Sequence, residues 1–143
     1  MIGIGLFNPK CAANVGGVLR AAECYGVDYI SIQGNRSGVT SVTNTYKSHR
    51  RIPVVCTDDL YSTVPYGCIP IGVDLVEGAE SLVYFKHPKN AFYIFGPEDG
   101  TLGKRILDKV KYVVMVPTKG CMNLAASVNV IMYDRMSKYD TTP

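Results

Sequence analysis

Three segments of the sequence carry side chains suited to binding or activating a substrate. They cover residues 8–20, 95–103 and 116–129, and each follows an apolar run that predicts a buried strand. In an open parallel sheet, ligands bind in the crevice at the carboxyl ends of the strands. The sequence therefore predicts one site that is assembled from three separate loops.

The chemistry available in these segments is recognition of charge and of hydroxyl groups. Arg20 can form a bidentate, charge-assisted bond to a phosphate and can stabilise developing negative charge. Asn14 can both donate and accept hydrogen bonds, and Glu98 offers a carboxylate. Taken singly, each residue also fits an ordinary structural role, such as a helix cap for Asn14 or Asn123. The occurrence of all three segments in this order favours a functional site.

Other common chemistries find no support in the sequence. The paired glycines of the first predicted strand lack the third glycine of a dinucleotide-binding fingerprint. A P-loop has the pattern Gly-x-x-x-x-Gly-Lys. The pair Gly103-Lys104 would therefore need a glycine at position 98, where this chain has Glu98. There is also no Gly-x-Ser-x-Gly elbow. His49 and His87 have no second ligand at helical or hairpin spacing, so we expect no metal site.

Strands alternate with helices along the whole chain. Apolar runs predict strands at residues 2–7, 28–32, 53–56, 68–73, 91–95 and 112–116. Helical patterns cover residues 15–25, 57–63, 103–108 and 123–138. Asn14 would cap the first helix and Gly26 would end it, while Gly16 and Gly17 predict a close backbone approach. Because several strands are apolar on both faces, we predict an α/β fold with a mainly parallel sheet flanked by helices.

Composition and the lack of a linker predict one ordinary globular domain over residues 1–143, with no added domain. Hydrophobic residues make up 47% and charged residues 19% of the chain, and the net charge of +3 is compatible with an anionic partner. The cysteines number five and form no Cys-x-x-Cys pair, so we expect reduced, mostly buried thiols in a cytoplasmic protein. We identify no signal peptide and no membrane-spanning run.

Positive charge is clustered at residues 36–51, 86–89 and 104–111. Each cluster alone is typical of a solvated face. In the first cluster, a tyrosine that can stack on a base lies beside cations that can bind phosphates. These candidate contacts with a nucleic acid are Tyr46, Lys47, Arg50 and Arg51, and the alternative is a plain surface loop.

The three segments resemble motifs 1, 2 and 3 of the SpoU/TrmH family of SPOUT RNA 2′-O-ribose methyltransferases. The first matches an Asn-x-Gly-x-x-x-Arg block from Asn14 to Arg20, and the second matches a Phe-Gly-Pro-Glu block at 95–98. The third has Cys-Met-Asn at 121–123 where the family commonly has Ser-Leu-Asn, and its loop at 117–122 looks shorter than usual. The resemblance extends over nearly the whole chain.

That resemblance implies a ribose methyltransferase that uses S-adenosylmethionine, with tRNA as the usual substrate of minimal members. It also implies a C-terminal trefoil knot and a homodimer with each active site at the subunit interface. The implied catalytic residues are Arg20, Asn14 and Glu98, with support from Asn123 and Ser127. The implied cofactor contacts are Asp74, Gly96, Val116, Met122 and Leu124.

Methyl transfer to ribose requires the 2′-hydroxyl to lose its proton during attack. Arg20 is a poor general base because a guanidinium keeps its proton at neutral pH. We therefore expect Arg20 to clamp the adjacent phosphate and to stabilise the developing alkoxide. Three alternatives stay open: methylation of a base nitrogen, a non-catalytic RNA-binding homologue, and a doubly wound nucleotide-binding domain, which the missing glycine fingerprints disfavour.

We expect the Arg20→Ala variant to keep its affinity for S-adenosylmethionine while methyl transfer falls by about 100-fold or more, because the residue acts on RNA. Calorimetry measures the first quantity and transfer of radiolabelled methyl groups measures the second. Arg20→Lys, which keeps the charge but loses the bidentate fork, should recover only part of the rate. Near-normal turnover of Arg20→Ala would refute this role.

Overall fold

A computed structural model describes residues 1–39 and 52–140 of the chain. The described strands are β1 (Ile2–Phe7), β2 (Tyr29–Gln33), β3 (Val54–Thr57), β4 (Ile69–Val73), β5 (Glu80–Ser81), β6 (Ala91–Phe95) and β7 (Tyr112–Met115). They form one seven-stranded sheet in the order β3-β2-β1-β6-β4-β7-β5, and every pairing is parallel. The predicted α/β class is thereby confirmed. The C-terminal knot stays a prediction.

The helices are α1 (Ala12–Tyr25), α2 (Lys104–Leu107) and α3 (Leu124–Asp140), with short 3-10 turns at Tyr61–Thr63 and Leu82–Tyr84. The central strand β6 shows how they cover both faces of the sheet. Its residues Ala91, Tyr93 and Phe95 pack into the core under α1 and α3, while Phe92 and Ile94 pack into a second core under α2. All five are buried, and each large apolar side chain removed from water contributes about 1.5–3 kcal/mol.

Helices α1 and α3 approach each other closely on one face of the sheet. A Cβ atom added at Gly17 would lie 2.8 Å from the Cβ of Ala125. The predicted close approach at this glycine is therefore confirmed. Gly26 ends α1 in the left-handed conformation at φ 71°, and its N–H donates to the carbonyl of Ala22, also as predicted.

The predicted start of the first helix is wrong. Helix α1 begins at Ala12 rather than Val15, and Asn14 lies in its first turn instead of capping it. The N-cap residue is Cys11, whose side chain makes no capping bond. A carboxylate from the distant Glu98 accepts the N–H of Cys11 instead, and no local sequence pattern predicts such a cap.

Two further expectations need correction. The segment between β4 and β6 contains strand β5, whose two residues are too short and polar for a periodicity argument. The cysteines are free, as expected, but none is buried: Cys11, Cys24 and Cys121 are exposed, and the other two are half-buried.

The candidate RNA contacts Tyr46, Lys47, Arg50 and Arg51 lie outside the described residues. Within the described ranges, no helix is long and apolar enough to span a membrane.

Candidate active site

A pocket opens at the carboxyl edge of the sheet, beyond the ends of β4, β6 and β7. Its walls come from residues 73–75, from the loop at 95–100 and from the segment 115–127. The second and third of the sequence segments therefore meet there, as parallel strands require. Most wall side chains are apolar, including Leu75, Phe95 and Met115.

Seven of the residues singled out from the sequence line this pocket. They comprise all the implied cofactor contacts together with one catalytic and one supporting candidate: Asp74, Gly96, Val116, Met122, Leu124, Glu98 and Ser127. Asn14, Asn123 and Arg20 are not part of its wall. Among the lining residues there are two carboxylates, Asp74 and Glu98, and no lysine, arginine or histidine. The pocket therefore favours a ligand with positive charge over one rich in phosphate.

Glu98 ties the loop after β6 to the start of α1. One carboxylate oxygen accepts the N–H of Lys10 at 3.0 Å. The other accepts the N–H of Cys11 at 3.3 Å and the side-chain amide of Asn14 at 2.8 Å. A negative charge at a helix N-terminus is also favoured by the helix dipole. Both oxygens are thus occupied, which suits a residue that orients the start of α1.

The pKa of Glu98 reflects these contacts. Burial by itself raises the pKa, but the hydrogen bonds from Asn14 and from the N–H groups of Lys10 and Cys11 outweigh it. The net pKa lies below its usual range. Glu98 is therefore a carboxylate at neutral pH, held by donors on every side.

The series of hydrogen bonds continues from Asn14 to the last helix. The side-chain oxygen of Asn14 accepts a bond of 2.8 Å from the amide of Asn123. The side-chain oxygen of Asn123 in turn accepts the N–H of Ala126 at 3.2 Å, in the first turn of α3. Residues from all three sequence segments are thereby joined in a series of contacts beside the pocket. Asn14 thus uses its donor group on Glu98 and its acceptor on Asn123.

Two further contacts at this edge were not anticipated from the sequence. Asp74 accepts the N–H of Leu102 at 3.0 Å, so it fastens the loop that leads out of the pocket. Arg36 holds Asp99 through two bonds of 3.3 and 2.8 Å, and this pairing lowers the pKa of Asp99. Arg36 and Asp99 are 63 residues apart in the chain, and no sequence pattern around a surface arginine predicts such a distant partner.

Arg20 lies on the exposed surface of α1. It follows Gly17 by three positions, so the two are neighbours on the side of α1 that meets α3. It forms no hydrogen bond or ion pair with the described residues. The described part of the chain therefore does not bring Arg20 to the pocket, because the pocket wall does not include this residue.

Comparison with known proteins agrees with this arrangement. The model of the SpoU rRNA methylase family matches residues 1–133. The chain belongs to the SpoU rRNA methylase family. The family resemblance read from the three motifs is therefore confirmed, and the pocket lies where those motifs of a SpoU protein converge.

The individual relatives of this chain share little sequence identity with it. The tRNA (cytidine-2′-O-)-methyltransferase TrmJ of Methanocaldococcus jannaschii is 26% identical over 162 aligned positions, covering 96% of this chain and 68% of that enzyme. The SpoU methyltransferase AviRb of Streptomyces viridochromogenes, solved with AdoMet, superposes with a TM-score of 0.82 at 19% identity, over 99% of this chain and 58% of that chain. A structure giving insights into 2-OH methylation of C/U34 on tRNA has a TM-score of 0.77 at 20% identity, over 98% and 91% of the two chains. These superpositions show a shared fold.

The lowered pKa of Glu98 predicts a pH-dependent contribution to stability. Such a carboxylate stabilises the folded state at pH values above its unfolded-state pKa, and this contribution is lost as the pH falls through the lower folded-state pKa. We expect Glu98→Gln to lower the free energy of unfolding by about 1–2 kcal/mol at neutral pH. The difference from the parent should begin to shrink near the unfolded-state pKa of about 4.3 and vanish below the folded-state pKa.

Urea unfolding at a series of pH values measures this difference. Asp108→Asn is a matched control, because Asp108 is an exposed carboxylate whose ion pair with Lys104 lies on the surface. A loss of stability in Glu98→Gln that is the same at every pH would contradict the assignment.

Proposed function

We propose that this protein is an S-adenosylmethionine-dependent ribose 2′-O-methyltransferase that acts on tRNA. The observation that carries the proposal is the hydrogen-bonded series Glu98–Asn14–Asn123, which joins the three SpoU motifs at one edge of the sheet. Membership of the SpoU family supports the methyl transfer. The TrmJ relative is named for methylation of a tRNA cytidine ribose, which supports the choice of tRNA.

The pocket residues fit a methyl donor that carries a sulfonium ion. S-adenosylmethionine would supply the methyl group as an electrophile bound to that positively charged sulfur. Asp74 and Glu98 give the wall negative charge, and no cationic side chain opposes it. Apolar residues such as Val116, Met122 and Leu124 suit the rest of a nucleoside ligand. AviRb, which shares the fold, is described in complex with AdoMet.

The residues around the pocket position and polarise the RNA. Glu98 cannot serve as a free base because donors occupy both of its oxygens. It acts instead as a positioning residue that fixes the first turn of α1. Arg20 follows Asn14 by six residues, about 9 Å further along the helix axis, so this anchor also sets the direction in which Arg20 points. Arg20 would then bind the RNA phosphate and stabilise the 2′-oxygen as its proton leaves.

A homodimer brings Arg20 to a pocket. Within one protomer this side chain is exposed and separate from the pocket wall. The outer side of α3 leaves Tyr133 58% and Met136 40% exposed, which suits contact with a second copy. Arg20 of each protomer would then lie at the pocket of its partner. The cytoplasm is the proposed compartment, because free thiols persist there and tRNA is present.

The reaction is tested by mapping labelled methyl groups onto RNA. The purified protein is incubated with methyl-tritiated S-adenosylmethionine and total cellular RNA, and the labelled RNA is digested to nucleosides. We expect label in the tRNA fraction, on 2′-O-methylated nucleosides. Label on a base would establish the base-nitrogen alternative, and absence of both label and cofactor binding would indicate a non-catalytic homologue.

Mixing two inactive variants tests the shared site. Arg20→Ala removes the phosphate clamp, and Met122→Arg fills the pocket and repels a cationic ligand. If Arg20 acts across the interface, a mixed dimer has one intact site of two. About half of the dimers in an equal mixture are mixed, so the mixture should recover about a quarter of the parent activity. Each variant alone should stay inactive. Absence of recovery in a mixture shown to contain mixed dimers would place Arg20 in its own protomer's site.

A further inference from the structure

The edge of the sheet opposite the pocket carries exposed lysines and tyrosine rings. Lys86 and Lys89 precede β6, and Lys109 and Lys111 precede β7. Tyr84 is 82% exposed. We call this group, together with Tyr112, the amino-edge surface. Strands of five residues separate it from the pocket by about 17 Å.

Contacts between neighbouring strands make this surface continuous. Ile69 donates its N–H to the carbonyl of Asn90, and Lys111 donates its N–H to the carbonyl of Pro70. These bonds place the starts of β6, β4 and β7 side by side. The ring of Tyr112 then meets Phe85 at a centroid distance of 5.8 Å, which brings residues 84–86 to the same edge.

The charges of the amino-edge surface are not neutralised. None of the four lysines forms a salt bridge with another described residue. Instead, the ammonium group of Lys109 lies 5.5 Å from the ring centre of Tyr61, and that of Lys111 lies 5.7 Å from the ring centre of Tyr112. The nearby Asp108 is paired with Lys104. The result is a positive surface with aromatic rings, a combination that suits a nucleic-acid backbone.

Helix α3 holds part of this surface rigidly. Lys138 donates to the carbonyls of Leu82 and Phe85 at 2.6 and 2.8 Å. The buried Arg135 donates to the carbonyls of Pro88 and Lys89 at 2.6 and 2.7 Å. These bonds fix the backbone from which Tyr84, Lys86 and Lys89 project. A fixed backbone lowers the entropy lost on binding, which favours a recognition surface over a plain solvated loop.

We propose that the amino-edge surface binds the phosphate backbone of the RNA substrate at a distance from the modified nucleotide. The inference rests on the proposed function, since it names a second contact of the same substrate. The pocket wall has no cation, so the remaining phosphates of a folded RNA need another positive surface. Lysines contribute such binding without reading sequence, while exposed rings can stack on unpaired bases.

The test compares a full-length tRNA transcript with a short, unmodified RNA stem-loop that contains the nucleotide to be methylated. The variants are Lys86→Ala/Lys89→Ala, Lys109→Ala/Lys111→Ala and the combined quadruple variant. The quadruple variant should raise KM for the full-length transcript about tenfold and reduce the slope of log affinity against log salt by about 2–3. Its kcat, its cofactor affinity and its kcat/KM for the stem-loop should match those of the parent. Lys104→Ala is the matched control, because this lysine is exposed but already paired with Asp108.

The outcomes separate this inference from the proposed function. If the parent methylates neither RNA, the proposed function fails. If the parent is active and the quadruple variant binds the full-length transcript with the parent's affinity and salt slope, the amino-edge surface is not an RNA contact. Equal losses of kcat/KM on both RNAs would also overturn this inference, because the substitutions would then be acting on the pocket. Circular dichroism establishes that each variant is folded.

Discussion

The candidate site depends on one carboxylate. Glu98 lies three residues beyond the central strand β6 and accepts hydrogen bonds from the first turn of α1 and from the two residues before this helix. Because Asn14 extends this contact to Asn123, the same interaction sets the relative position of α1, α3 and the loop after β6. This series of bonds connects three segments that are distant in the chain, at the edge where the pocket opens.

The sheet explains why this connection forms at that edge. The seven described strands run parallel, so their carboxyl ends share one side of the molecule. The central strand β6 is buried on both faces, which fixes Gly96 and Glu98 immediately beyond it. The glycine is needed there, since a Cβ atom at Gly96 would lie 3.2 Å from the backbone nitrogen of Leu102. Packing of the core and geometry of the site are therefore set by the same strand.

Much of this arrangement is predictable from sequence. Six of the seven described strands and the long helices α1 and α3 follow from apolar periodicity, because burial dominates their positions. The lining residues Val116, Met122 and Leu124 follow from the motif resemblance. The Glu98 cap, the Arg36–Asp99 pair and the bond from Leu102 to Asp74 do not, since each joins residues that only the fold brings together. The two-residue strand β5 is likewise too short for any periodic signal.

Helix α3 contacts both edges of the sheet. Its first turn bonds to Asn123 beside the pocket, and its last turns hold the segment at 82–89 through Arg135 and Lys138. At 17 residues it is a rod of about 25 Å. Fraying from its C-terminus would release the far edge first and leave the pocket intact. Native-state hydrogen exchange would then resolve two separate units of local stability along a single helix.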